Sequence, residues 1–198
     1  MSIFQKIFGN SRKRAQEAKQ TKPSDDREFI ESKIKQWIGE VGKNPRDYQT
    51  IAAVGAAYGK LGQHERAIEY FQRALDINPS YEEASLGMAA AYGFLKRPDD
   101  KIAACLNAIS LNPNSALAYG NLGSALGKAG KHEESIKALR EAVRLKPDFA
   151  DAHFALGLAY LNLGQESNAL EQLNTLNQID PCLSEKLREL IAMVNKRP

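Results

Sequence analysis

The sequence predicts an all-α protein built as an array of helix-turn-helix repeats, and three observations carry that prediction. Pro45, Pro79, Pro113, Pro147 and Pro181 follow one another at intervals of 34 residues, a period that marks a repeat array. Between the prolines, apolar residues recur at the spacing of helices lying against a core. Small residues, several of them Gly, return at fixed offsets inside those helical stretches. With 198 residues, 43% of them hydrophobic and 26% charged, the chain can bury a core and has the composition of a folded protein.

The chain opens on a basic tail and linker, residues 1–24. Residues 1–22 carry Lys6, Arg12, Lys13, Arg14, Lys19 and Lys22 against Glu17 alone, a balance of +5, so the other 176 residues sum to −2. Ile3, Phe4, Ile7 and Phe8 cluster on one side of a short helix, and Arg12, Lys13 and Arg14 follow. That pattern suits docking on an anionic membrane surface, where each basic residue contributes about 1 kcal/mol, or on a partner protein. The chain's own groove and nucleic acid are further surfaces for so sticky an arm. No apolar run has the length to cross a bilayer, and the N-terminus lacks the apolar core of a secretory signal. Two distant cysteines suggest a reducing compartment, so a cytoplasmic protein is expected, peripheral to a membrane through its tail.

Residues 25–44 carry Phe29, Ile30, Ile34, Trp37, Ile38 and Val41, with Asn44-Pro45 in phase, and predict a leading, unpaired second helix of a hairpin. Four units follow at 48–81, 82–115, 116–149 and 150–183. In the first, Ile51, Val54, Gly55 and Tyr58 share one helical face, and Ala67, Ile68, Phe71, Ala74 and Leu75 make the matching face of the second helix. The offsets recur at Tyr119, Leu122, Gly123, Leu126 and at Leu156, Gly157, Tyr160. Glycine inside a helix costs about 1 kcal/mol against Ala, so Gly55, Gly123 and Gly157 are expected where helix A crosses helix B most closely, opposite Ala67 or Ala169. Ser80 with Glu83, and Asp148 with Asp151, read as caps opening the next helix A. The second unit departs most, with Ser85, Ala89 and Lys101 at offsets held elsewhere by larger apolar residues, Gly and Ala, which predicts its packing to be the loosest. Residues 184–196 predict a capping helix in helix A register, with Ile191 in place of the small residue and polar positions facing water.

The pattern W/Y/I–L–G–Y–A–F–A–P over 34 residues resembles the tetratricopeptide repeat across residues 48–183. The resemblance implies a right-handed α-α solenoid whose A helices line a concave, ligand-holding groove. By offset, that groove would take Ala52 and Ala56 from the first repeat and Leu86, Ala90 and Phe94 from the second. It would take Leu117, Asn121 and Ser124 from the third, and Phe154, Leu158 and Leu161 from the fourth. Ala52, Ala56, Gly87, Ala90, Gly93, Gly120 and Gly127 would form a smooth floor that a partner's backbone approaches closely, with Phe94, Phe154, Leu158 and Leu161 as apolar grip. The plainer alternative is that these small residues fill contacts between repeats. The family's Lys/Asn/Arg clamp for a C-terminal carboxylate is not matched. From the first repeat, Ala52, Ala56, Gly87, Leu117 and Asn121 stand at its positions, and from the second only Asn121 agrees.

No residue set calls for chemistry. "GSALGK" is one residue short of a phosphate loop, lacks its Ser/Thr and sits inside a helix. His64 and His132 occupy equivalent turn positions, His153 a packing position, Cys105 the core position of Phe71, and Cys182 a loop. A non-catalytic scaffold or adaptor is expected, binding an apolar extended or helical segment of another protein, with no metal and no cofactor. The alternative is a peripheral membrane protein whose tail docks on anionic lipid while the repeats display a partner. Nucleic acid is disfavoured by an apolar inner face on a slightly acidic body.

Overall fold

Alanine-rich apolar stripes punctuated by Asn-Pro, Lys-Pro and Asp-Pro leave the chain little choice but helix and turn, because proline cannot donate into a helical ladder. In the structure, a computed structural model describing residues 23–195, the described residues form ten helices and no strand. They are α1 (Pro23–Lys43), α2 (Tyr48–Lys60), α3 (His64–Ile77), α4 (Glu82–Phe94) and α5 (Pro98–Leu111). Then come α6 (Ala116–Lys128), α7 (His132–Leu145), α8 (Ala150–Asn162), α9 (Glu166–Ile179) and α10 (Pro181–Asn195). The fold class is that of an all-α helical-repeat solenoid. The chain divides into two compact units, the first ending at Leu95 and the second beginning at Lys96, so the division falls inside the second 34-residue period.

In the first unit, α2 packs on α1 and α3, and α4 packs on α3. Ile34 of α1 is buried against Val54 and Ala57, with Ile30 and Trp37 alongside. Ile51, Ala67, Phe71, Ala74 and Ala84 form the continuous interior, closed by an edge-on Tyr48–Tyr81 pair with ring centroids 5.0 Å apart. In the second unit, α5 through α9 each pack on the next helix, and α10 covers both α8 and α9. Leu139 and Ala142 meet Ala152 and Leu156, while Leu173 and Leu176 meet Leu187 and Ile191. Ile191 is therefore a core residue of the last layer, as its size at the expected small position implies.

The helix crossings are where small residues are required. At Gly55 an added Cβ would stand 3.1 Å from the Ala67 carbonyl oxygen and 3.2 Å from the Phe71 ring. At Gly123 it would fall on Leu139, with its Cδ2 at 2.8 Å, and stand 3.1 Å from the Ser135 carbonyl oxygen. Here Ser135 replaces the expected alanine, and its buried hydroxyl donates to the Gly123 carbonyl at 2.7 Å. Gly157 departs from expectation: the group it makes room for is Leu187 of α10, at 2.6 Å, and not Ala169.

Two further expectations are corrected. Ser80 and Asp148 cap nothing, because α4 and α8 start after Tyr81 and Phe149, leaving those side chains outside the first turn. The turn before α4 is instead held by Asn78, and that before α6 by Asn112, whose Oδ1 atoms accept from the Ser80 and Asn114 amides, each at 3.1 Å. Side-chain caps do occur at Asp47, which accepts from the Thr50 amide at 3.1 Å, and at Ser115, which accepts from Ala118 at 3.3 Å. The last helix also begins earlier than residue 184. Pro181 fits the first helical position, where no amide is needed, and Asp180 accepts from the Leu183 amide at 3.0 Å. Cys182 thus lies in the first turn of α10, exposed, and not in a loop.

The hairpin turns need one residue in the left-handed region. Gly62, Gly130 and Gly164 supply it with φ of 75°, 77° and 69°, whereas the second period places Lys96 there with φ 56°. A side chain in that region costs about 1–2 kcal/mol, partly offset by the greater unfolded-state entropy of glycine. Lys96→Gly is expected to stabilise the chain by about 1 kcal/mol, read as a higher urea midpoint with an unchanged m-value. Gly123→Val is expected to destabilise by about 1–3 kcal/mol through overpacking on buried Leu139. An unchanged melting temperature for that variant would refute the close-crossing account.

Candidate functional site

Positions that face away from the crossings are the ones left to touch a partner, and the structure sorts the expected groove residues by accessibility. In the first unit Ala52 is 1% exposed and belongs to the core, so it offers nothing to a ligand. Ala56 is half-buried against the same core. On α4, Leu86 is half-buried, Ala90 exposed and Phe94 72% exposed. Their spacing of four residues puts them on one helical face. The Phe94 ring lies flat on the His64 imidazole, centroids 4.5 Å apart and planes 3° from parallel. The most exposed aromatic among the described residues is therefore held in place by a neighbour. Sequence reading placed Phe94 on this face but had no signal for the His64 partner, since stacking between periods leaves no mark in either helix's pattern.

In the second unit Leu117 is 51% exposed, and Asn121 and Ser124 are half-buried on the same helix, α6. Phe154, Leu158 and Leu161 of α8 are half-buried against the Leu173–Leu176–Leu187–Ile191 core. Part of their expected grip is thus spent on the protein's own last layer.

The smooth-floor expectation fails at several positions. A Cβ at Gly87 would fall inside the Phe71 ring, and one at Gly120 would stand 2.8 Å from Phe149 Cε1. At Gly127 it would stand 3.2 Å from the Ser135 hydroxyl. These residues are small because intramolecular neighbours need the space, which is the plainer of the two alternatives. Of the expected floor, Ala90 remains openly accessible.

The residues weighed for chemistry take packing roles. His153 is buried, with Nε2 donating to the Pro147 carbonyl at 2.9 Å and Nδ1 paired with Gln172 at 2.8 Å, tying the turn before α8 to α9. The Nδ1 atoms of His64 and His132 are buried without a hydrogen-bond partner. Burial pushes the Cys105 thiol up to about 11, with Lys101 opposing, so the sulfur is a neutral core group at neutral pH. Among the described residues no three His, Cys, Asp or Glu side chains are grouped to hold a metal ion. Ile3, Phe4, Ile7, Phe8, Arg12, Lys13 and Arg14 lie outside the described residues. Among the described helices none is long and apolar enough to cross a membrane.

Comparison with known families decides what this array is. Models described as the tetratricopeptide repeat match residues 53–81, 104–137 and 150–181, and one described as the TPR repeat matches 128–164. The chain is a tetratricopeptide-repeat protein. Its repeats superpose on MamA from residue 41 onward of Desulfovibrio magneticus RS-1 with a TM-score of 0.71, at 22% identity over 77% of this chain and 86% of that one. YrrB, titled a TPR protein with an unusual peptide-binding site, gives 0.69 at 19% identity, covering 82% of this chain and 84% of that one. The first TPR of Spaghetti (RPAP3), solved with the HSP90 peptide SRMEEVD, gives 0.58 at 26% identity, covering 59% of this chain and 93% of that one. A search of curated proteins returned no match.

Lys101 stands at the helix B offset where Ala67 and Ala169 are fully buried. Burial lowers the pKa of its ammonium, and Lys128 adds to this while Cys105 opposes it. A lowered folded-state pKa means the charged form destabilises the fold. That penalty is present at neutral pH and fades as pH rises toward the ordinary lysine value, above which both states are neutral. Lys101→Met is expected to raise the melting temperature at pH 7 and to remove this gain on alkalinisation. Equal melting curves for the two proteins from pH 7 to 10 would show that the charge is fully solvated.

Proposed function

We propose that this tetratricopeptide-repeat protein is a non-catalytic scaffold that captures an apolar, extended or helical segment of a partner polypeptide on its helix A faces. The observation that carries the reading is the Leu86–Ala90–Phe94 stripe, ending in an aromatic that is 72% exposed yet fixed by the His64 ring. Exposed aromatics are the usual anchors of interfaces. One already immobilised loses less side-chain freedom on binding. Leu117 supplies a second accessible apolar contact on the second unit. The peptide-binding site of YrrB and the peptide bound to Spaghetti support a polypeptide ligand for this fold. A carboxylate-clamp ligand of the latter kind is not proposed, because Ala52, Leu117 and Asn121 provide no cation at the clamp's Lys and Arg positions, and Ala56 and Gly87 provide no amide at its Asn positions.

The test is selection of peptides from a random display library on the immobilised full chain. Selected peptides are expected to carry aliphatic or aromatic residues at helical or alternating spacing. Peptides that bind the first unit should lose about tenfold or more in affinity, equivalent to about 1.4 kcal/mol, against Phe94→Asp, and peptides that bind the second unit should lose as much against Leu117→Asp. Both positions are exposed, so the variants should keep the parent's far-UV spectrum and melting temperature. Phe154 and Leu158 are poor choices for this test, since their half-burial in the core would confound binding with unfolding. Failure to enrich any sequence on the full chain and also on its Arg12→Glu/Lys13→Glu/Arg14→Glu variant, or enrichment indifferent to both substitutions, would reject the reading.

A further inference from the structure

The face that ends in Phe94 has a segment of matching chemistry in the same chain. We propose that residues 1–22 dock in cis on the Leu86–Ala90–Phe94 face of α4 and occlude it until a partner displaces them. The inference rests on the reading of that face as a polypeptide-binding surface and adds its regulation.

Charge selects the first unit as the target. Residues 23–95 hold eight Lys or Arg against eleven Asp or Glu, a net −3, and residues 96–198 hold thirteen against twelve, a net +1. The +5 of residues 1–22 is attracted to the former. The order of groups along the face also corresponds. Glu83, Leu86, Ala90 and Phe94 succeed one another at spacings of three, four and four on α4, with the carboxylate at the N-terminal end. The tail carries Phe4 and Phe8 four residues apart and then Arg12, again four further on. Run antiparallel to α4, it sets Phe4 and Phe8 against Phe94 and Ala90 and brings Arg12 toward Glu83.

The tail joins α1 in the same unit. The four-residue matching requires residues 4–12 to run as a helix beside α4, which leaves residues 13–22 as a tether of up to about 33 Å. Tethering gives an effective concentration in the mM range, so a contact of modest intrinsic strength closes the face. A partner must then outcompete the tail.

The experiment places the photo-crosslinking residue p-benzoylphenylalanine at Phe8 of the full chain, irradiates at low protein concentration and maps products by mass spectrometry after trypsin. The expected product is a monomer-mass crosslink from the tail to the tryptic peptide 74–96, which contains α4. It should be reduced at least tenfold by Phe94→Asp, by Arg12→Glu/Lys13→Glu/Arg14→Glu, and by about 1 M NaCl, where the screening length falls to about 3 Å. Crosslinks found only between two copies, only outside 74–96, or unchanged by Phe94→Asp would overturn the proposal. Crosslinking to 74–96 that vanishes with phosphatidylserine vesicles, while the chain sediments with them whatever residue 94 is, would assign the tail to lipid and also overturn it. The two readings fail separately. Library peptides that need Phe94, without any tail crosslink, would leave the scaffold standing and remove the regulation. A Phe94-dependent tail crosslink with no peptide selectable even on the Arg12→Glu/Lys13→Glu/Arg14→Glu variant, whose tail is released, would leave the tail contact standing but remove the scaffold and with it the regulatory role.

Discussion

The fold depends on helix A approaching helix B closely enough for a 34-residue hairpin to bury anything at all. One hairpin has too little apolar surface to be stable alone, so each must spend one face internally and offer another to the next layer. Gly55 over the Ala67 carbonyl and Gly123 over Ser135 and Leu139 are the points of contact that permit this. Once the backbones touch there, Ile51, Phe71, Leu139 and Leu176 are forced into the interior. At the α6–α7 crossing a hydrogen bond replaces the methyl contact: the Ser135 hydroxyl lies against the Gly123 carbonyl and satisfies both buried groups.

The same requirement acts between layers and limits what is left for a ligand. Gly87 admits the Phe71 ring, Gly120 admits Phe149 and Gly157 admits Leu187. In each case an aromatic or a leucine from a neighbouring element occupies space that a side chain on the A helix would have filled. At these three positions the small residue on helix A marks a place where the protein touches itself. Ala52 makes the same point, being 1% exposed at an offset where the family resemblance led to the expectation of a groove residue.

The periodic features were legible in the sequence because they are imposed by backbone chemistry. Proline ends helices wherever it falls, and apolar spacing of 3.6 residues reports which side of a helix is dry. The helix pairs at 48–60 with 64–77 and at 116–128 with 132–145 follow directly from that. What was not legible depends on which of two neighbours wins a contact. Ser80 and Asp148 have good capping chemistry, but α4 and α8 start one residue later, after Tyr81 and Phe149, which puts both side chains outside the first turn. Gly157 looks identical to Gly123 in sequence and serves a different neighbour, because α10 contributes Leu187 where the other repeats contribute a helix B residue. Ser135 did carry a signal, a hydroxyl at an alanine offset. Left-handed backbone at Lys96 carried one too, since glycine fills the three equivalent turns.

Recognition by this array must then come from the few helix A positions that packing does not consume. The last-turn residues Lys60, Phe94, Lys128 and Asn162 occupy equivalent offsets and are all exposed. Three of them are polar and interact with water as readily as with a ligand, so they discriminate weakly. Phe94 differs in kind. Its exposed ring has no solvation to lose, and its stack on His64 means that little rotameric entropy remains to be surrendered when a partner covers it. On the scaffold reading proposed above, position 94 is the strongest apolar contact offered by the first unit, although the repeat it belongs to departs furthest from the pattern elsewhere. A partner that buried Lys60 or Lys128 instead would have to desolvate an ammonium for no compensating apolar gain. On that scaffold reading, selectivity between apolar and polar partners would reside in this aromatic side chain and the histidine beneath it.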